Sequence, residues 1–503
     1  MKERFELLRK RFAEIADLQA ASAVLQWDQE TYMPPGGARA RAEALATIQR
    51  TAHARLVADE LARLLDETDT WAQAQGPDSF EAALLRAARR DHSRAKKLPG
   101  ELVAELAKAT ALALEAWKEA RELSDFSAFA PHLERIVALS RRKAEALAVG
   151  ERLYDSLLDE YEPGTKTSQV EATFRALREG LVPLVREIVA RRDKVSNEVL
   201  CGASGEKRQL QLCREVVRRL GYDFDRGRQD VSAHAFTTTF SVDDVRITTR
   251  LKRDFLPAAL YASIHECGHA LYAQGIDKAC ERTPLNDGAS LGVHESQSRL
   301  WENVVARGRP FCEWLLPRIR KRFPKRFGET DVEAFYRAVN KAGPSLIRVE
   351  ADEVTYNLHV LLRFEIETDL IEGRLKTAEA PQAWNAKMSE YVGIAPPDDA
   401  QGVLQDIHWA AGLIGYFPTY TLGNIMSVQF YEKARLDLPG LEERIAQGDF
   451  APLRGWLEEN IYRHGRKYMP NELLQRVVGG GLDSRPFLGY LRRKYSEIYG
   501  FGA

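Results

Sequence analysis

Three observations predict a mainly α fold: a large helical protein with one small β-sheet just ahead of a histidine-bearing helix. Long stretches are rich in alanine, leucine, glutamate and arginine. One short segment, Val231–Leu251, is β-branched and alternating. A single helical stretch carries two histidines around a glutamate, His265-Glu266-Cys267-Gly268-His269. Helical and strand periods separate cleanly on these criteria.

Composition narrows the function classes. The chain has 503 residues, enough for a large core or two packed subdomains. Apolar residues make up 45% and charged residues 29%, a globular balance. The formal net charge of −1 argues against nucleic acid as a main partner. No run of 18 apolar residues offers a membrane span. The start, Met1-Lys2-Glu3-Arg4-Phe5-Glu6-Leu7-Leu8-Arg9, reads as an amphipathic helix rather than a signal peptide. Five cysteines, an odd number without a C-x-x-C, point to free thiols in a reducing cytoplasm.

Residues 1–230 read as long helices and hairpins, broken at Pro34-Pro35-Gly36-Gly37, Gly76-Pro77, Pro99-Gly100 and Glu162-Pro163-Gly164. Next, Phe236–Ser241 and Val245–Leu251 alternate as two strands, with Val242-Asp243-Asp244 as the turn. Such a hairpin can offer its edge to an extended peptide, or can simply close the core. The metal helix is expected over Asp254–Gly275, with Pro257 in its first turn and Gly275 as its stop. Leu256, Leu260, Ile264, Cys267 and Leu271 form its apolar stripe, so Cys267 reads as core rather than ligand. Ser345 is expected to cap a helix from Leu346 to about Glu372, stopped by Gly373. On that helix Arg348, Asp352, Thr355 and His359 would share one face, either a solvent face or a polar cleft wall. A loop-rich stretch, Gly393–Asn424, and further helices broken at Gly479-Gly480-Gly481 complete the chain.

The chemistry gathers at the histidines. His265 and His269 are four residues apart, so their imidazoles leave adjacent turns of one face and can share a tetrahedral zinc ion. Glu266 is then placed to take a proton from an attacking water. A catalytic zinc takes three protein ligands and keeps one open position. Glu295, in Gly292-Val293-His294-Glu295-Ser296-Gln297, is the first candidate for the third ligand; Glu281 and Glu302 are weaker ones.

These pieces resemble the carboxypeptidase Taq family of zinc metallocarboxypeptidases over nearly the whole chain. The likeness rests on Trp27-Asp28 with Met33-Pro34, Asp244-Val245-Arg246-Ile247-Thr248, the metal motif, and His294-Glu295-Ser296-Gln297. It continues through Ile347-Arg348-Val349-Glu350-Ala351-Asp352 and Gly402-Val403-Leu404-Gln405-Asp406-Ile407-His408-Trp409. One departure is His234-Ala235-Phe236, where the family usually has His-Pro-Phe; without proline the backbone there is looser.

The resemblance implies a single peptidase domain over 1–503, with a deep active-site cleft like that of angiotensin-converting enzyme and the neurolysin-like peptidases. Its parts would be a helical lobe (about 1–230), a metal and substrate region (about 231–424) and C-terminal helices (425–503). It implies release of single residues from free peptide C-termini, with broad specificity and proline disfavoured. Zinc, with cobalt as a substitute, and a homodimer also follow from it. His408 and Tyr420 resemble the His and Tyr that stabilise the oxyanion in neurolysin-like enzymes, with Tyr416 as the alternative donor. His234 and Thr248 would line the substrate site. For the substrate carboxylate an arginine fork is best suited, Arg348 first and Arg246 second. Two rival readings are an oligoendopeptidase on the same scaffold and a helical interaction scaffold with an incidental metal motif.

Overall fold

The computed structural model describes residues 1–502. Helices dominate, and each of the four proline and glycine breaks expected in the first 230 residues falls between two of them or, at Gly100, on the first residue of the next. The first pair, Lys2–Thr31 and Ala38–Leu56, folds back on itself after a 3₁₀ turn at Pro35–Gly37. Two further helix ends carry no such mark. Gly100–Leu123 and Phe126–Leu147 stop at Ser124 and Ala148, both left-handed without being glycine (φ 55° and 47°). The expected lobe boundaries at 230/231 and 424/425 fall inside a strand and a helix, so neither is a seam between elements.

The sheet has three strands rather than two. β1 (Gln229–Val231) runs parallel to β3 (Asp244–Thr249), and β2 (Thr237–Ser241) pairs antiparallel with β3 on its other side. The predicted hairpin is therefore present, with β1 added. Val245 and Ile247 of β3 are fully buried. A polar seam also ties sheet to helix: Gln229 Nε2 donates to Ser263 Oγ at 2.8 Å, and Ser263 donates to the Ala259 carbonyl at 2.7 Å.

The metal helix spans Leu256–Gly275, with Pro257 in its first turn. All five residues of the expected stripe are buried, Cys267 among them, and most of the rest of the helix is too. A helix apolar nearly all round belongs in a core. The Glu295 helix, Leu291–Arg299, is capped by Ser290, whose hydroxyl accepts from Val293 N at 3.0 Å. It continues into a π-helical segment, Leu300–Val305. A Cβ on Gly268 would stand 2.6 Å from the Gln297 carbonyl oxygen, so only glycine lets the metal helix approach this backbone. Gly423, on the helix Pro418–Asp437, plays the same part from the opposite side: its Cβ would meet Glu295 Cβ at 2.8 Å.

The single helix expected from Leu346 to Glu372 is not formed. Arg348–Glu350 is a 3₁₀ turn, and the helix begins at Tyr356, ending as expected at Gly373 (φ 78°). Asp352 is the reason. Its carboxylate accepts from Val354 N (2.8 Å), Thr355 N (3.1 Å), Thr355 Oγ1 (2.7 Å) and Gly343 N (3.1 Å). An aspartate that offers the backbone these bonds starts a helix rather than continuing one. Ser345 makes no cap, and Arg348, Asp352, Thr355 and His359 do not share a helical face. The loop-rich region also ends earlier than expected, because Pro418 already opens a helix. All five cysteines are free.

Candidate active site

His265 and His269 leave adjacent turns of the metal helix and turn Nε2 toward one point. Glu295 Oε2 stands 3.6 Å from His265 Nε2 and 3.3 Å from His269 Nε2. Tetrahedral bonds of about 2.0–2.1 Å require ligand atoms about 3.3 Å apart, so the donor set fits a divalent metal. Glu281, at the end of a 3₁₀ turn, is outside this group of three.

The other side of each imidazole is also held. His265 Nδ1 lies 2.9 Å from Glu302 Oε2, and His269 Nδ1 lies 2.6 Å from His294 Nδ1. Glu302 thus contacts the ring nitrogen of His265 opposite the one that faces Glu295 and stands outside the group of three donor atoms, which counts against it as a rival ligand. The π-helical segment carries it there. Partners of this kind fix the tautomer and tilt of a ligating ring. Burial, followed by the neighbouring His269, pushes His294 below the ordinary histidine value, which favours a neutral ring able to accept.

Arg299 joins the two carboxylates. Its Nε donates to Glu295 Oε1 at 2.7 Å and its Nη1 to Glu302 Oε2 at 3.2 Å. Burial alone would raise Glu295, but Arg299 and both histidines hold it well below the usual carboxylate range. Glu295 is therefore ionised, with Oε1 tied to Arg299 and Oε2 turned toward the histidines. Glu266 lies beside them, buried, and burial pushes its carboxyl upward. Thr237 of β2 places its hydroxyl 2.7 Å from Glu266 Oε2, so the sheet touches this carboxyl directly.

A second cluster adjoins the first through Tyr356. Its ring lies under the Arg299 guanidinium (4.7 Å), and its hydroxyl accepts from Arg348 Nη1 at 2.9 Å. Arg348 does not pair with Asp352, as a shared helix would have allowed; its partner is Asp406, with Nε and Nη2 at 3.1 and 2.7 Å from Oδ1. Arg348 is 5% exposed. Nearby, His408 Nε2 is 3.1 Å from the Tyr420 hydroxyl, and the His408 ring stacks on Phe417 at 4.3 Å. Burial drives His408 down to about 3, so its ring is neutral. Tyr416 packs against both, 5.5 Å from the His408 ring and 5.3 Å from Tyr420.

The remaining expected site residues sit at the sheet. Arg246 is ion-paired with Asp244 (2.8 Å) and clasped between Trp27 (4.4 Å) and Phe240 (4.7 Å). His234 is exposed in the loop before β2. Thr248 has no exposed surface and so lines nothing itself; its Oγ1 accepts from Phe236 N at 2.9 Å and from Ser232 Oγ at 2.7 Å, pinning the loop that carries His234. Sequence reasoning missed Thr237, Arg299 and Tyr356. Only Arg299, four residues after Glu295 and thus on its face, left a readable signal.

The chain as a whole is similar to known proteins. The family model described as carboxypeptidase Taq (M32) metallopeptidase matches residues 7–495. Thermostable carboxypeptidase 1 of Thermus thermophilus is 42% identical over 97% of both chains, and carboxypeptidase 1 of Bacillus subtilis is 36% identical over 99% of this chain and 98% of its own. The crystal structure of an M32 carboxypeptidase from Deinococcus radiodurans superposes with a TM-score of 0.96 at 41% identity, covering 99% of this chain and 100% of the other. Metallocarboxypeptidase 1 of Trypanosoma cruzi gives 0.94 at 33% identity, covering 98% and 100%. Matched by the family model from residue 7 to residue 495, and by relatives over nearly its whole length in sequence and in fold, this chain is a member of the carboxypeptidase Taq (M32) family of metallopeptidases.

Proposed function

We propose that the protein is a zinc-dependent carboxypeptidase that releases single amino acids from free peptide C-termini, with broad specificity and proline disfavoured. The observation that carries this is the convergence of His265, His269 and Glu295 on one point, with Glu266 buried beside it. The three would hold zinc, with cobalt able to take its place. When bound, the metal supplies a Lewis acid that polarises the scissile carbonyl and acidifies a water. Glu266 takes the proton of the attacking water and delivers it to the leaving amine. Thr237 steadies Glu266 in the orientation that both transfers need. With its Nε2–H donated to the Tyr420 oxygen, His408 leaves the phenolic O–H free for the oxyanion. Tyr416 is the alternative donor.

Arg348 anchors the substrate carboxylate, and Arg246 is the second choice. Three of the five N–H groups of Arg348 are engaged, by Asp406 and Tyr356, which leaves two for a ligand. In this reading residues 1–503 are one peptidase domain with a deep cleft, like angiotensin-converting enzyme and the neurolysin-like peptidases. His234 borders the substrate, Thr248 acts through its loop, and the outer edge of β2 receives extended peptide. Free thiols fit a reducing cytoplasm, and the working unit is a homodimer.

The test is mass spectrometry of a peptide mixture after incubation with zinc-loaded protein. A ladder of single C-terminal losses, absent when the C-termini are amidated, is the expected result. Internal cleavage of free and amidated peptides alike would make the protein an endopeptidase instead, and no cleavage after zinc or cobalt addition would make it a non-catalytic scaffold.

A further inference from the structure

The cluster behind Arg348 contains a residue outside the reaction just described. Asp406 is shared by two arginines. Arg348 holds Oδ1, and Arg363 approaches Oδ2 with Nε at 2.6 Å and Nη2 at 2.6 Å. Arg363 has no exposed surface. Its guanidinium lies over Trp384 at 4.3 Å, and its Nη1 donates to the His359 carbonyl at 2.7 Å. It cannot itself meet a substrate, yet a fully buried arginine is costly unless its charge serves a partner.

Charge counting gives it a purpose. Arg348 with Asp406 alone would be a neutral ion pair, and an incoming carboxylate would have to compete with Asp406 for the guanidinium. With Arg363 the trio carries one excess positive charge. The imidazoles facing it, His359 and His408, are both driven down to about 3 by burial and are neutral. One helical turn after Arg363 stands Glu367, whose carboxyl accepts from Tyr154, Trp409 and Gly415 N, and which burial pushes up to about 7. It therefore offsets the excess charge only in part near neutrality. Arg348 and Asp406 both reach the surface slightly, with side chains 6% and 10% exposed, whereas Arg363 reaches none, so the carboxylate that Arg363 holds is the one beside the anchor. A charge that is buried and incompletely compensated attracts an anion more strongly than one in water, since Coulomb energy scales inversely with the effective dielectric.

We propose that Arg363 is a positioning residue for C-terminal carboxylate recognition: by sharing Asp406 it holds that carboxylate back and leaves Arg348 electrostatically open to the substrate. The inference rests on Arg348 being the carboxylate anchor. It makes the selection of free C-termini a property of an arginine–aspartate–arginine trio.

The experiment compares zinc-loaded wild type, Arg363→Met, Arg363→Gln and Arg363→Lys on one peptide supplied as free acid and as C-terminal amide. Arg363→Met should raise KM on the free acid about tenfold or more, leave kcat within about threefold, and leave the weak amide rate unchanged. Arg363→Lys keeps the charge and should recover most of the affinity. Zinc content should be the same in all. If Arg363→Met does not fold, Arg363→Gln and Arg363→Lys make the same comparison without and with the charge. A merely structural role predicts equal losses on acid and amide, carried by kcat, and overturns the proposal. So does an Arg363→Met protein with the acid-to-amide preference of wild type. A wild type that hydrolyses acid and amide equally overturns the exopeptidase reading itself, and a wild type that discriminates while Arg348→Ala loses nothing overturns Arg348 as anchor.

Discussion

Removing Glu302 separates a ligand from a ligand's support. In Glu302→Ala, His265 loses the acceptor 2.9 Å from its Nδ1, while the three converging donor atoms are untouched. Loss of such a partner typically weakens metal affinity by about 10- to 100-fold, or about 1.4–2.8 kcal/mol at 1.4 kcal/mol per decade. Arg299 and Arg307 also lose a carboxylate, at 3.2 and 3.4 Å, so the variant should unfold at lower temperature as well. Glu302→Gln keeps an oxygen for the Nδ1–H and should retain zinc better than the alanine variant. Glu295→Ala should fare worst, because two imidazoles alone leave the site a ligand short. Competition for zinc against a chromophoric chelator gives the order directly: wild type, Glu302→Gln, Glu302→Ala, Glu295→Ala. If Glu302→Ala binds zinc as tightly as wild type, the support role assigned to Glu302 is refuted. If it loses zinc as completely as Glu295→Ala, Glu302 is a ligand and the geometry here is misread.

Other expectations are as direct. Glu266→Gln should keep zinc while kcat falls by about 10²–10⁴, the usual span of general-base catalysis, and near-normal turnover in a zinc-loaded sample would remove Glu266 from the reaction. Arg348→Ala should cut kcat/KM on free-acid peptides by about 30-fold or more, since breaking a buried charge pair costs about 2–5 kcal/mol, with little effect on amides. His359 is buried with neither ring nitrogen hydrogen-bonded, and burial holds it down at about 3. Between the ordinary histidine value and that one, the unfolded chain binds a proton that the folded chain refuses. Stability should therefore fall as pH drops from about 6.5 toward 3, by up to about 4 kcal/mol from this group. Urea titrations of wild type and His359→Phe across that range should show the slope reduced in the variant; parallel slopes would exclude His359 as its source.

What the sequence made legible follows from how local each signal is. Pro35, Pro77, Pro99 and Pro163 mark helix boundaries by removing a backbone donor, an effect confined to a few residues. Ser124 and Ala148 end helices in the left-handed region without glycine, and nothing in their side chains announces it. β1 is three residues long and exists because β3 offers it an edge, so it has no alternating run to read. Asp352 looked like one more helical position; only the approach of the Gly343 amide and Thr355 showed it as a helix start. In the site, His265, His269 and Glu266 follow from spacing on one helix. Glu295 was reachable because it stands a short hairpin away. Thr237 acts on Glu266 across 29 positions of chain, and no local pattern encodes that.

The two glycines at the metal site give the same argument an energetic side. Gly268 and Gly423 admit the Glu295 helix between two neighbours at backbone contact. A side chain at either position would push that helix outward, and Glu295 would move with it. Oε2 now stands 3.6 and 3.3 Å from the two imidazole nitrogens, with little slack for ligand bonds of about 2 Å. Gly268→Ala should therefore resemble a ligand mutation more than a packing one. Its own helix would gain, since alanine favours a helix interior over glycine by about 1 kcal/mol, while the metal position opens. Zinc affinity and helix propensity move in opposite directions in that variant, and only a site whose geometry is set by backbone contact behaves in this way.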